Sequence, residues 1–168
     1  MISLDYLQTL YAYDAWASRR VLDTAARLAP TALEAAPLSG LGSLQQIFTH
    51  CVSATWIWRS RLAGVSPQMM LDPSNFRTLA AIRMRWEAEL SDLRTLIAGL
   101  DADSLAAPLD YLSTRGAPQR TPRWQILAHV VNHGTQHRSE AAALLTALGQ
   151  SPGDLDMIVF FREPPEAA

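Results

Sequence analysis

The chain has a single cysteine, Cys51, and so cannot close a disulfide on itself. That excludes the stapled scaffolds of small secreted domains and fits a reducing compartment. Charge is also sparse: 18% of residues are charged, the formal net charge is -2, and no basic cluster departs from that average. The electrostatic footprint of a nucleic-acid binder is missing, so no nucleic-acid partner is expected. No apolar run approaches the ~20 residues that span a bilayer. The opening Met1-Ile2-Ser3-Leu4-Asp5 lacks the basic segment and unbroken apolar run of a secretory leader. These absences predict a soluble, cytoplasmic protein with no membrane partner. What is present is apolar: 49% of the residues are hydrophobic, which argues against disorder. Residues 1–168 read as one domain, long enough to bury a core.

Helical periodicity recurs in four segments, with breakers between them. The first opens at Ser3, a capping residue, and runs to about 28, with Leu4, Leu7, Tyr11, Asp14, Ser18, Val21, Ala25 and Leu28 on one stripe. Pro30, Pro37, Gly40 and Gly42 mark the connection that follows. The second spans about 43–62 with Leu44, Ile47, Phe48, Cys51, Thr55, Trp58 and Leu62 in phase, and Gly64 lies just past its end. The third spans about 77–100 and keeps phase through Leu79, Ile82, Trp86, Leu90, Leu93, Ile97 and Leu100. Leu109–Ser113 and Ala117–Arg120, flanking Thr114-Arg115-Gly116, suit a short hairpin or extended excursion, with Pro118 confining the second arm to an edge. Thr121-Pro122 then reads as a capping hydroxyl and a first-turn proline for a fourth helix ending near Leu148, with Gly149 as its stop. The tail 154–161 fits a short helix or an extended strip, and Pro164-Pro165 with the last alanines looks frayed. The expected architecture is all-α: an up-and-down four-helix bundle with that excursion and a short C-terminal segment.

The chemistry lies in the histidines. His129, His133 and His137 are spaced i, i+4, i+8 on the fourth helix, and His50 sits on the second. At ~100° per residue, His137 falls inside the apolar arc of Ile126, Leu127, Val130, Ala141, Leu144 and Leu148, and His133 falls at its edge. His129 falls with Gln125, Asn132, Gln136 and Glu140 on the polar side. It is also ~12 Å along the axis from His137, too far for one ion with bonds of ~2.0–2.1 Å. The pair His133/His137 can chelate if another helix supplies a third ligand, and His50, bordering the core stripe between Ile47 and Ala54, is the remaining histidine. Three imidazoles on one divalent ion leave coordination positions open, the pattern of catalytic sites. Zinc and nickel head the candidates among the metals that imidazole suits. The competing reading is a set of hydrogen-bonded or solvated histidines. Glu140 could be a further ligand, or the carboxylate that orients a ligating imidazole.

Several other residues carry two readings each. Asp14 and Ser18 interrupt the first stripe, either as a wall of the metal pocket or as solvent-facing groups. Gly134, inside the fourth helix at a cost of ~1 kcal/mol against alanine, either admits a close approach, leaves room beside the metal, or is neutral. Arg138 could meet an anionic substrate or form a structural ion pair. Trp16, Trp56, Trp58, Trp86 and Trp124 are mostly core by phase, with Trp16 and Trp56 also candidates to line a pocket. Cys51 is read as inert core.

Asn132-His133-Gly134-Thr135-Gln136-His137-Arg138 is similar to a family signature of Asn-His, three residues, then His-Arg, late in the last long helix. His50 followed by Trp56-Ile57-Trp58-Arg59-Ser60-Arg61-Leu62-Ala63-Gly64, the run Tyr13–Ser18, and the tail from Gly149 through Pro152 to Asp156 match the same pattern. On these motifs the chain resembles the DinB-like (DinB/YfiT) metal-binding four-helix bundle family over nearly its whole length. The resemblance implies that His50, His133 and His137 are the metal ligands. It departs where Asp14 and Ser18 replace asparagines, Gln136 stands in place of a histidine or aromatic, and Ser139-Glu140 replaces Gly-Gln. It further implies a small-molecule enzyme, either a thiol-dependent S-transferase or isomerase using a low-molecular-weight thiol, or a hydrolase. Asp14, Glu140 and Arg138 would be substrate-side assistants, with Ser18, Trp16, Trp56 and Gln136 around the pocket. A homodimer is expected by the same analogy and from the apolar tail Met157–Phe161. The alternatives are a non-enzymatic metal-binding stress-response protein, or a scaffold whose histidines bind nothing.

Overall fold

Hydroxyl caps set the starts of the first three long helices. A computed structural model describes residues 2–35 and 42–163; Pro37, Gly40, Pro164, Pro165 and the final alanines lie outside the described residues. Helix α1 (Leu4–Ala25) begins where Ser3 Oγ accepts the Tyr6 amide at 3.2 Å. Helix α2 (Leu44–Leu62) begins on a capping box: Ser43 Oγ accepts the Gln46 amide, and Gln46 Oε1 accepts the Ser43 amide at 2.8 Å. Helix α3 (Leu79–Ala98) is capped by Thr78. Each such cap contributes about 1 kcal/mol by satisfying an amide that would otherwise lack a partner.

A short helix α4 (Ala102–Ala106), which the periodicity does not reveal, precedes the hairpin. Its cap is Asp101, which accepts the Ser104 amide at 2.7 Å. Strands β1 (Pro108–Leu112) and β2 (Pro118–Pro122) pair antiparallel, Leu109 opposite Thr121, with Gly116 at φ +77° in the turn. Helix α5 (Arg123–Ala147) follows without a loop. Here the expectation for Thr121-Pro122 is corrected. Thr121 stays in the strand, Pro122 occupies the cap position with no side-chain cap, and the Arg123 amide donates instead to the Ala107 carbonyl at 3.2 Å. Strand pairing holds Thr121 extended, and an acceptor outside the helix, the Ala107 carbonyl, replaces its cap. Helix α6 (Met157–Arg162) makes the tail helical.

The four long helices form a ring in the order α1, α3, α2, α5. Their directions follow from side-chain partners. Tyr11 reaches Leu127 and Ser18 reaches Arg138, so α1 and α5 run the same way. Phe48 meets Trp86 and Arg59 meets Asp92, so α2 and α3 also run together, opposite to the first pair. The fold is the expected all-α four-helix bundle with hairpin and short C-terminal segment. Its helices do not simply alternate, because the long connection 63–78 returns the chain before α3 begins. No described helix is long and apolar enough to cross a membrane.

The core stripes are as the periodicity predicts: Leu7, Tyr11, Val21, Phe48, Ile82, Trp86, Leu93 and Ile97 are each at most 2% exposed. Burying each such side chain is worth about 1.5–3 kcal/mol, which anchors the helices independently of any ligand. Of the tryptophans only Trp86 is fully buried; Trp16, Trp56, Trp58 and Trp124 are half-buried. The tail docks through Phe160, whose ring lies 6.0 Å from Tyr13 and 5.7 Å from Trp16, leaving Ile158 and Phe161 exposed.

Candidate metal centre

Antiparallel packing of α2 on α5 brings His50 to the pair His133/His137. His50 Nε2 lies 3.1 Å from His133 Nε2, and His137 Nε2 lies 3.2 Å from the same atom. One ligand atom from each of the three falls within 4.8 Å of the other two. Three nitrogens ~2.0–2.1 Å from a shared centre at tetrahedral angles stand ~3.3 Å apart, so the donor set fits one divalent ion. The cluster sits at the rim of the bundle: His50 is exposed and the other two are half-buried. One side is therefore open to small molecules.

Glu140 decides the tautomer of one ring. Its Oε2 lies 2.6 Å from His137 Nδ1, a distance at which Nδ1–H donates and leaves the Nε2 lone pair pointing into the cluster. Gln136 supports the carboxylate in turn, Nε2 donating to Glu140 Oε1 at 3.3 Å. Burial alone would push the Glu140 carboxyl up. The hydrogen bonds from His137 and Gln136 outweigh it and hold the group below its ordinary range. Glu140 therefore orients His137 from the side away from the cluster.

Burial pushes the His133 imidazole down to about 4, and His137, His50 and His129 push the same way. Partial burial and then His137 also lower His50. Neutral imidazole is the form that ligates, so proton competition at these two rings is suppressed. The folded chain consequently binds fewer protons than the unfolded one between about 4 and the ordinary histidine value of 6.5. Stability of the metal-free protein should be complete above pH 6.5 and fall as pH drops toward about 4. Urea midpoints measured across that range check this, and a His133→Phe variant should flatten the trend.

Behind the cluster lies a buried ion pair. Arg138 Nη1 donates to Asp14 Oδ1 and lies 3.4 Å from Ser18 Oγ, while Nη2 donates to Thr135 Oγ1 at 3.0 Å. Asp14 is 4% and Arg138 2% exposed. Burial pushes the Asp14 carboxyl up against the pull of Arg138. Asp14 and Ser18 are thus buried and do not face bulk solvent. They satisfy Arg138, which is 2% exposed, and the pair holds α1 against α5. A small cavity between this pair and the cluster is lined by Asp14, Cys51, Trp58, Trp86, His133 and Gly134.

Gly134 resolves on the same geometry. A Cβ there would lie 2.7 Å from Arg138 Nη1 and 2.9 Å from Asp14 Oδ1, so glycine makes room for the ion pair. Gly134→Ala gains ~1 kcal/mol of helix propensity but displaces a sealed pair, and should destabilise by about 1–3 kcal/mol in chemical denaturation.

The remaining candidates separate. His129 is exposed, outside the convergent set, with its ring 5.6 Å from His133 and 5.4 Å from Trp58. Trp16 turns to the tail, its Nε1 donating to Glu163 at 2.7 Å, and is no pocket wall. Trp56 does not line the cavity; Trp58 does. Cys51 is buried, its thiol pushed up to about 12 by burial, and is inert as expected. Sequence reasoning missed Trp58, Tyr111, Arg61 and the Glu89 clamp, in which Arg59 and Arg85 hold a 3% exposed carboxylate. Arg59 with Glu89, and Tyr111 with Trp58 and Arg61, meet only through contacts between distant segments.

A helical bundle with three convergent histidines across two antiparallel helices defines the class. The sequence matches the DinB family over residues 2–166, and the chain belongs to that family. It is 23% identical over 173 residues to Protein DinB of Bacillus subtilis (strain 168), covering 97% of this chain and 99% of that one. The fold is also that of a conserved protein of Enterococcus faecalis with a known crystal structure (TM-score 0.64, 12% identity, 82% of this chain and 94% of that one).

Proposed function

We propose that the protein holds one divalent metal ion, zinc or nickel, on His50, His133 and His137 and works as a cytoplasmic enzyme on small molecules. The observation that carries this reading is the convergence of three imidazole nitrogens at an open rim, with Glu140 fixing the tautomer of one. An ion held there would supply Lewis acidity, lowering the pKa of water or a thiol beside it. The chain's own residues converge three imidazole nitrogens, keep His137 turned inward, and leave one face uncovered. A low-molecular-weight thiol at that face would make the protein an S-transferase or isomerase, and water there a hydrolase. Elemental analysis of untagged protein, then turnover assays pairing cellular thiols with electrophiles, test this; a full complement of metal with no turnover for any pair rejects the enzyme.

A second reading, a non-enzymatic metal-binding stress-response protein, is favoured by one observation: Glu140, the carboxylate at the site, is engaged by His137 and Gln136. Its signature would be metal occupancy without ligand exchange. Exposed Ile158 and Phe161 beside the docked tail support a homodimer, for which light scattering at micromolar concentration should return twice the chain mass. A monomeric mass refutes it.

Removing the metal should leave the bundle standing. The core is complete without it, so EDTA should preserve the helical circular dichroism and lower the melting temperature only modestly. Collapse of the helical signal would make the ion structural.

A further inference from the structure

Arg61, near the C-terminal end of α2, is a buried cation without an anion. It is 5% exposed, and its Nε is sealed from solvent with no hydrogen-bond partner. Among the described residues it forms no hydrogen bond or ion pair through its side chain, whereas the buried charges of Asp14, Arg138 and Glu89 are all paired. Its Cζ sits instead in the angle between two rings, 4.5 Å from the Trp58 centroid and 5.0 Å from Tyr111. Those rings meet edge to face, 5.4 Å apart, and Tyr111 is steadied by Thr121 at 3.3 Å across the hairpin. Ring faces offset part of the desolvation of a guanidinium, but they accept none of its five N–H groups. Only Nε is sealed without a partner, so the outward edge of the fork is formed by the terminal nitrogens. A planar fork held rigidly by aromatic rings is suited to take a carboxylate through paired hydrogen bonds.

We propose that Arg61 is an anion-recognition residue that receives the carboxylate of a small acidic ligand, with Trp58 and Tyr111 forming the wall beside it. Trp58 touches His129, and His129 touches His133, so a continuous aromatic strip runs from Arg61 to the histidine cluster. A ligand anchored at Arg61 is thereby aimed along the α2–α5 seam toward that cluster. This last step rests on the metal-site reading; the carboxylate subsite does not. The substrate class that follows is an elongated acid with its reactive group at the end remote from the carboxylate.

Calorimetric titration of metal-free protein with succinate, against sodium chloride of equal ionic strength, tests the subsite alone. Saturable binding is expected, weakened by at least about tenfold in Arg61→Met, since charge-assisted hydrogen bonds are lost. Arg61→Lys, which keeps the charge and loses the fork, should bind more weakly than wild type and covers the case in which the methionine variant fails to fold. Equal binding by wild type and both variants, or no binding beyond the salt control, overturns the proposal. Binding of inorganic phosphate but not succinate overturns the carboxylate assignment. In His133→Ala, succinate affinity should persist while metal is lost, so failure of the metal reading and failure of this subsite give different results.

Discussion

Replacing His133 with alanine should abolish metal binding, raising the dissociation constant by well over about 100-fold. His133 is the hub of the cluster: its Nε2 lies within 3.2 Å of both other imidazole nitrogens, so its loss leaves two donors on opposite helices. A graded series follows from the geometry. Glu140→Ala frees the His137 ring to turn and should weaken binding about 10–100-fold, the usual effect of removing a group that orients a ligand. His129→Ala should leave a full complement of metal, because His129 stands outside the convergent set. Competition titration with a chromophoric chelator ranks all three variants. Equal losses in His129→Ala and His133→Ala would mean that the wrong pair on α5 had been identified.

The second large effect belongs to the ion pair behind the cluster. Asp14→Ala should destabilise the protein by about 3–5 kcal/mol, because it leaves the Arg138 guanidinium buried and unpaired. Ser18 and Thr135 remain as hydrogen-bond acceptors but carry no compensating charge. The double change Asp14→Leu with Arg138→Met should recover most of that loss, since apolar groups of similar size remove the desolvation penalty altogether. Urea denaturation of the wild type, the single variant and the double variant reads the comparison. A single variant as stable as the double would mean that the pair is hydrated and contributes little.

Helical phase made part of this legible in the sequence. The stripes on α1, α2 and α3 are local patterns, and most of their residues, Leu7, Tyr11, Val21, Phe48, Ile82, Leu93 and Ile97 among them, are buried as the phase requires, while Leu28, Trp58, Leu62 and Leu79 are half-buried at the ends of their stripes. The histidine pair was legible for the same reason, since i, i+4 spacing on a helix is a geometric statement. Bringing His50 to that pair needed a tertiary assumption, supplied only by there being so few histidines to choose from. Asp14, Ser18, Gly134 and Arg138 could not be assigned from phase, because each side chain's partner lies on another helix or one turn away. One buried arginine explains all four at once: it needs a carboxylate, hydroxyl acceptors, and a missing Cβ. The direction of α3 was likewise hidden, since nothing local specifies where the connection 63–78 returns the chain. Arg61 reads as an ordinary surface cation near a helix end until the hairpin folds Tyr111 against it.

Cobalt titration of the metal-free protein, followed in the visible spectrum, tests the central claim most directly. The account predicts saturation at one ion per chain, intense bands of a low-coordinate nitrogen site, and a spectral change when a small thiol is added. The same titration of His133→Ala should stay featureless. Failure of the wild-type chain to saturate, or a spectrum shared by wild type and His133→Ala, would contradict a metal centre on His50, His133 and His137.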